Sequence, residues 1–443
     1  MNRQRAVEII VYEQRQTRFS TNALLGAVEA LPFRDELAIL GARGPEELLA
    51  LLASPGAHRR QLVLISLFTS QLPAMAALLA TLRRQLPAGS PGTTLVAGGS
   101  HPTGDPAGTL ALGFDLVARG EGEATVQGLV TAIRSGQDPR RIPGLAWRGE
   151  DGRLQGSGPA APVDLDRYPP FAAHWRRFGP IEITRGCPFA CRYCQTPRLV
   201  GRRLRHRSLA VILRHVQVLA ARGLDDLRFI TPNALSYGTR DPRAVALRAI
   251  EALLAGARRI VGASGRIFFG SFPSEVRPEQ VSPEAIRLIR TYCDNDNLVI
   301  GAQTGSPRLL AAAGRSHSVA DVVRAVELAA GAGLVPCVDF IFGLPGETDQ
   351  DRAASLQLME KLVRRGARVH GHTFMPLPQT PWARQPPGRL PDWLRARLNQ
   401  ATDRGWLFGS WRQQEDSSRR LADFVAESRP AAGRPPFPSP LTE

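Results

Sequence analysis

The stretch "TRGCPFACRYCQTPR", Thr184 to Arg198, sets three of the chain's five cysteines inside eight residues. Cys187, Cys191 and Cys194 follow the spacing C-x3-C-x2-C, three thiolates on one loop with no fourth. A structural zinc ion is normally closed by four ligands, so zinc here needs a further donor such as His206 in "GRRLRHRS". A cubane iron–sulfur cluster takes one thiolate per iron. Three cysteines then leave one iron open, and the missing ligand is the place where something else binds.

Working outward, the loop directly follows the short apolar run "IEIT", and strand and helix patterns alternate after it. Strands fit "DLRFIT", "RIFFGSF", "NLVIGAQ", "PCVDFIFG" and "ARVHGHTF", with helices near 208–222, 242–256, 282–292, 318–331 and 348–364. Six such repeats predict a full or partial barrel whose chemistry opens at the carboxyl ends of the strands. The part before the loop alternates as well, with strands in "VEIIVY", "ELAIL", "LVLISLF", "TLVAGG" and "DLVARG" and helices at 22–31, 45–53, 72–86 and 123–134. That pattern predicts a parallel sheet covered on both faces, with ligands outside the carboxyl ends of its strands. Two glycine-rich turns fall there, "AGGSHPTGD" at 97–105 and "RGEGEAT" at 119–125.

The fold class is α/β, in four segments. Residues 1–147 form a doubly wound, Rossmann-type parallel-sheet domain, 148–178 a linker or small hairpin rich in Gly, Pro and Asp, and 179–385 the barrel. Residues 386–443 are a helical extension, with segments near 391–403 and 417–427, that ends in the proline-rich "RPAAGRPPFPSPLTE", read as disordered.

Composition narrows the function. The chain has 443 residues and a formal net charge of +16, but Lys361 is its single lysine and the other basic residues are arginines. That skew reads as genome composition on a solvated surface, and no nucleic-acid motif accompanies it. A lone lysine within the amphipathic "LQLMEKLVRRG" also excludes a phosphate-cradling P-loop and a pyridoxal Schiff base. No apolar run is long enough to cross a bilayer and the polar start "MNRQRAVEII" is no signal peptide, so the expectation is a cytoplasmic protein with no membrane partner. Thiols stay reduced in that compartment, where clustered cysteines hold metal rather than pair.

The cysteine spacing, with Tyr193 before the last cysteine, resembles the signature of the radical SAM superfamily. "VIGAQTGSPRLL" at 299–310, "GRSHS" at 314–318, "VDFIFGLPGET" at 338–348 and "HTFMPLPQTP" at 372–381 resemble later landmarks of the branch that includes oxygen-independent coproporphyrinogen oxidase and the methylthiotransferases. The resemblance implies a partial (β/α)6 barrel and a 4Fe-4S cluster on Cys187, Cys191 and Cys194. Its open iron is chelated by S-adenosylmethionine, which an electron splits into methionine and a 5'-deoxyadenosyl radical. By the same resemblance Tyr193, Gln303, Arg315 and Asp339 contact S-adenosylmethionine, Gln303 and Asp339 at the ribose and Arg315 at the methionine carboxylate. A guanidinium forks onto a carboxylate, and an aspartate accepts from sugar hydroxyls.

Two departures stand out. In place of the family's G-G-E type element the chain has "FITPNALSYG", where Thr231 and Asn233 offer oxygens for the methionine amine. Where some relatives have a glutamate after the third strand it has "FFGSFPSEV", which offers Ser271 or Glu275. Cys293 and Cys337 lie outside the motif and read as buried small apolar residues.

The run "LVAGGSHPTGDPAGTLALGFDLVARGEGEATVQGL" at 95–129 resembles the cobalamin-binding domain that precedes the barrel in one group of this superfamily, and "CQTPRLVG" with "RHRS" resembles an uncharacterised branch of it. Gly98, Gly99, Gly120 and Gly122 are then the candidate cobalamin contacts, although the cobalt-ligating D-x-H-x-x-G element is absent. His101 reads as a turn histidine that caps backbone groups.

With cobalamin bound, the group's implied reaction is methyl transfer to a small-molecule or peptide substrate, driven by an electron donor such as a flavodoxin or ferredoxin. A radical rearrangement or oxidative cyclisation without catalytic cobalamin is the alternative. RNA methylthiolation would suit the positive charge, but those enzymes carry a second cluster domain with three more cysteines, and only two cysteines remain here. A non-catalytic carrier of cluster or cobalamin would leave Arg315 and Asp339 incidental.

Overall fold

The computed structural model describes residues 6–53, 59–86 and 92–427. The proline-rich end lies outside the described residues. Two compact units divide the described residues, one running to Gly179 and taking in Leu377–Gln379, the other holding Pro180–Pro376 and residues 380–427.

The first unit is a seven-stranded sheet: β1 (Ala6–Tyr12), β2 (Ala38–Ala42), β3 (Arg59–Ser66), β4 (Thr93–Gly98), β5 (Leu116–Ala118), β6 (Leu145–Arg148) and β7 (Leu154–Gly156), in the order β2-β1-β3-β4-β5-β6-β7. The first five pair in parallel and the last two antiparallel. Ile9 and Val11 on one face and Ile10 on the other are all buried, as a sheet covered on both sides requires. Helices Arg18–Glu29 and Glu123–Ser135 close one face by bringing Leu25, Val28, Val126 and Leu129 onto Val7, Ile9 and Leu62. Each such side chain contributes roughly 1.5–3 kcal/mol.

The stretch read as a linker or hairpin belongs to this unit. Its start forms the β6–β7 pair, and Phe171 and Ala172 are 1% and 0% exposed. Gly, Pro and Asp made it look solvated, but Val163, Leu165, Phe171 and Ala172 are spent on packing.

The second unit carries β8 (Ile181–Glu182), β9 (Thr184–Arg185), β10 (Arg205–His206), β11 (Asp226–Ile230), β12 (Arg266–Phe268), β13 (Asn297–Gln303), β14 (Val335–Phe342), β15 (Arg368–Thr373) and β16 (Leu407–Phe408). Parallel runs β12-β11-β8 and β13-β14-β15-β16 are joined by a parallel bridge between Val276 and Ile300. Helices Leu209–Ala220, Leu247–Val261, Pro283–Tyr292, Val319–Gly331 and Asp349–Val363 alternate with the strands and complete the partial (β/α)6 barrel. Four of them start on a Ser or Thr whose hydroxyl accepts an N–H of the first turn: Ser208, Ser282, Ser318 and Thr348. The last two form capping boxes with Asp321 and Asp351. The two-residue β16, unmarked in the sequence, adds a seventh parallel strand. Among the described residues no helix is long and apolar enough to cross a membrane.

Candidate active site

The cysteine loop leaves β9 and returns through β10, which pairs antiparallel with it. Gly186 turns the chain at φ +92°, where a Cβ would stand 2.1 Å from Arg203 O, so glycine is required. Backbone bonds hold the loop from both ends, Cys187 N–H to Gly201 O at 3.1 Å and Arg192 N–H to Ala313 O at 2.9 Å. The three cysteines are free thiols. Burial pushes Cys187 up to about 11 and Cys194 upward too, with Cys187 raised further by Cys194 and Cys191, and Cys194 by Cys191. Three thiols gathered on one loop, with Cys187 and Cys194 disfavoured as free anions, suit a metal that takes up their charge. His206 closes no zinc site: Nδ1 lies 3.0 Å from Thr184 Oγ1 and Nε2 2.7 Å from Thr239 O.

Arg315 joins this loop to the strand ends. Nη1 lies 3.8 Å from Cys191 Sγ and 3.4 Å from the Tyr193 hydroxyl, and Nη2 donates to Gly301 O at 2.6 Å. Its Nε is buried without a partner. Tyr193 packs with Leu309, Phe374 and Trp382, an apolar wall beside the loop. The register shifts between Gly301 and Gln303, and Gln303 sits at φ 74°. A non-glycine residue in that region is strained, a feature that gathers at functional sites.

Gly301 shows what the shift achieves. A Cβ there would meet Gln303 Nε2 at 2.8 Å, Arg315 Nη2 at 3.2 Å and Glu275 Oε2 at 3.6 Å, so a missing side chain leaves a small cradle among three polar groups. Of the two open candidates after the third strand, Glu275 faces this space, whereas Ser271 Oγ is spent on Asn297 Oδ1 at 2.7 Å. Desolvation and the neighbouring Asp339 push Glu275 up to about 7, against the pull of Arg315 and Arg277. Asp339 Oδ1 lies 2.9 Å from His370 Nδ1. Burial raises Asp339, but its bonds to His370 and His372 outweigh that and hold it below the usual carboxylate range.

Thr231 and Asn233 have their polar groups engaged by each other and by their neighbours. Thr231 Oγ1 donates to Asn233 O at 2.9 Å, and the Asn233 amide is spent on Ser236 and Gln280. Cys293 and Cys337 are half-buried free thiols rather than fully buried ones.

In the first unit both glycine turns stand at the carboxyl ends of adjacent strands, β4 and β5. Gly99 has φ +100° and would set a Cβ 2.9 Å from Ser66 Oγ, while Gly120, at φ +80°, faces open space. Gly98 ends β4, and Gly122 precedes the helix Glu123–Ser135 with Leu24 against it. Thr103, absent from the sequence-based candidates, ties the turns together: Oγ1 donates to Gly99 O at 2.8 Å and accepts from Gly120 N–H at 3.0 Å. Gln379 Nε2 donates to Thr103 O at 3.0 Å, and its Oε1 is buried without a partner. His101 caps no backbone group with its ring. Nδ1 meets Thr69 Oγ1 at 3.1 Å and the buried Nε2 meets nothing.

Residues 181–359 match the radical SAM superfamily, and residues 9–130 match the B12 binding domain. The chain carries a B12-binding domain followed by a radical SAM domain. The cofactors that go with these domains are a 4Fe-4S cluster, S-adenosylmethionine and cobalamin. The residues present fit them: three free thiols on one loop, an unpartnered Arg315 Nε beside the Gly301 cradle, and orphaned polar atoms of His101 and Gln379 near the glycine turns.

Among known proteins, the chain is 30% identical over 261 residues to an uncharacterized protein of Methanopyrus kandleri, covering 56% of this chain and 47% of that one. It is 30% identical over 221 residues to a tRNA-2-methylthio-N(6)-dimethylallyladenosine synthase of Pelobacter propionicus, covering 49% and 47%. The chain thus spans about half the length of these curated relatives. The radical S-adenosylmethionine methyltransferase TsrM of Kitasatospora setae, solved with cobalamin and a [4Fe-4S] cluster, shares the fold with a TM-score of 0.65 at 19% identity, over 86% of this chain and 74% of that one.

Proposed function

We propose that this chain is a cobalamin-dependent radical SAM methyltransferase acting on a small-molecule or peptide substrate, with a flavodoxin- or ferredoxin-like protein as its reductant. The observation that carries the reading is the presence in one chain of a B12-binding domain and a radical SAM domain. When bound, the cluster and S-adenosylmethionine supply a one-electron cleavage that yields a carbon radical, and cobalamin supplies the methyl group.

The chain's own residues bind and orient. Arg315, already fixed by Gly301 O, directs its remaining donors at the methionine carboxylate. Gln303 and Asp339 take the ribose hydroxyls. Tyr193, Phe374 and Trp382 wall off water from the loop side. In the first unit Gly98, Gly99, Gly120 and Gly122 keep backbone rather than side chain against the corrin, and Thr103 holds the two turns in register.

The test is to incubate the reduced holoprotein with S-adenosylmethionine carrying a deuterated methyl group and to follow the label by mass spectrometry. Deuterated methyl on the extracted corrin supports the reading. Formation of 5'-deoxyadenosine with no label on the corrin would favour rearrangement or oxidative cyclisation instead. The tRNA synthase relatives support a second reading, RNA methylthiolation, which predicts the label in a methylthio group on tRNA.

A further inference from the structure

We infer that Asp339, His370 and His372 form a binding site for a divalent transition-metal ion of zinc type, separate from the cluster cysteines. The "HGH" of β15 sets His370 and His372 two residues apart, so both side chains leave the same face of the strand. Asp339 on β14 is paired directly with His370. The three ligand atoms therefore converge by strand register alone.

Their separations suit one ion. His370 Nδ1 stands 2.9 Å from Asp339 Oδ1, His372 Nε2 stands 3.2 Å from His370 Nδ1, and His372 Nε2 stands 3.8 Å from Asp339 Oδ1. For metal bonds of about 2.0–2.2 Å, ligands set at about 90–120° around one centre lie roughly 2.8–3.8 Å apart. Hydrogen bonding accounts for the cluster less well. His370 Nδ1 has one proton or one lone pair and two claimants, Asp339 Oδ1 and His372 Nε2. One cation satisfies all three atoms at once.

Both rings are held in place. Phe408 stacks on His370 with centroids 4.7 Å apart and planes 12° apart. Gly409, at φ +105°, leaves room for that ring, because a Cβ would meet His370 Cδ2 at 2.5 Å. Gln414 Oε1 accepts Thr373 N–H at 2.9 Å, and its Nε2 lies 3.3 Å from His372 Nδ1, so the amide holds the orientation of that ring. Supporting contacts of this kind orient ligating histidines.

Three protein ligands leave a coordination position open, the arrangement of catalytic rather than structural zinc. The site neighbours the Gly301 cradle through Glu275, which faces that cradle and is raised by the adjacent Asp339 charge. An open position there would take an oxygen or nitrogen of the substrate and polarise or orient it. This assigns Asp339 Oδ1 to the ion and leaves Oδ2 for Glu275 or the ribose.

The experiment uses the full chain with its cluster reconstituted, so that the cysteines are occupied. The protein is incubated anaerobically with zinc sulfate and desalted, and zinc and iron are counted per chain. The wild type should keep one zinc beside its iron, and His370→Asn and His372→Gln should each retain about tenfold less at unchanged iron content. If the wild type keeps no zinc, or both variants keep as much as it does, the site is overturned. Should one histidine variant lose its iron, the other and Asp339→Asn decide by the same comparison.

Discussion

Arg315 Nη1 lies 3.8 Å from Cys191 Sγ while Nη2 donates to Gly301 O at 2.6 Å. One guanidinium thus links the cysteine loop to the strand end where the register breaks. Its position is set by backbone, and its unpartnered Nε and the adjoining cradle are what a carboxylate-bearing cofactor would meet.

Arg315→Lys should weaken S-adenosylmethionine binding by about tenfold or more, because an ammonium cannot fork onto a carboxylate and a charged hydrogen bond is worth roughly 1.5–3 kcal/mol. Equilibrium dialysis of the cluster-loaded protein measures this. Wild-type affinity in the variant would remove Arg315 from the site.

Gly301→Ala should lower reductive cleavage of S-adenosylmethionine by at least about tenfold, since the new methyl stands 2.8 Å from Gln303 Nε2 and fills the cradle. Cluster absorption should stay unchanged. Cleavage to 5'-deoxyadenosine at the wild-type rate would mean the cradle lies outside the binding site.

Thr103→Val should reduce the hydroxocobalamin kept after desalting, with Thr103→Ser close to wild type. The valine leaves Gly120 N–H without its acceptor, which costs about 1–3 kcal/mol and loosens the two turns. Equal corrin retention in both variants would rule the bridge out.

The buried His101 is held down to about 3 by desolvation, against an ordinary value of 6.5. The unfolded chain therefore binds more protons than the folded chain between those values. Stability should be fully present above pH 6.5 and be lost as pH falls toward 3, by at most a few kcal/mol. His101→Gln, without a titrating ring, should flatten that acid limb in urea unfolding of the full chain.

The cysteine spacing, the strand–helix alternation and the two glycine turns are legible in one dimension because each depends on neighbours a few residues apart. The partners of the site are not. Glu275 and Ser271 look equivalent in "FFGSFPSEV", and only the fold spends Ser271 on Asn297 and leaves Glu275 beside Asp339. His370 and His372 read as part of an ordinary strand until β14 brings Asp339 alongside. The positive φ of Gln303 has no glycine to announce it. The packed stretch through Phe171 was masked by its Gly, Pro and Asp content.

The most direct test of the central claim is the absorption spectrum of anaerobically reconstituted protein, incubated with hydroxocobalamin and desalted. The account predicts corrin bands together with broad cluster absorption in the wild type, and a Cys187→Ala/Cys191→Ala/Cys194→Ala variant that keeps the corrin bands alone. A wild-type protein that forms its cluster and retains no corrin would contradict it.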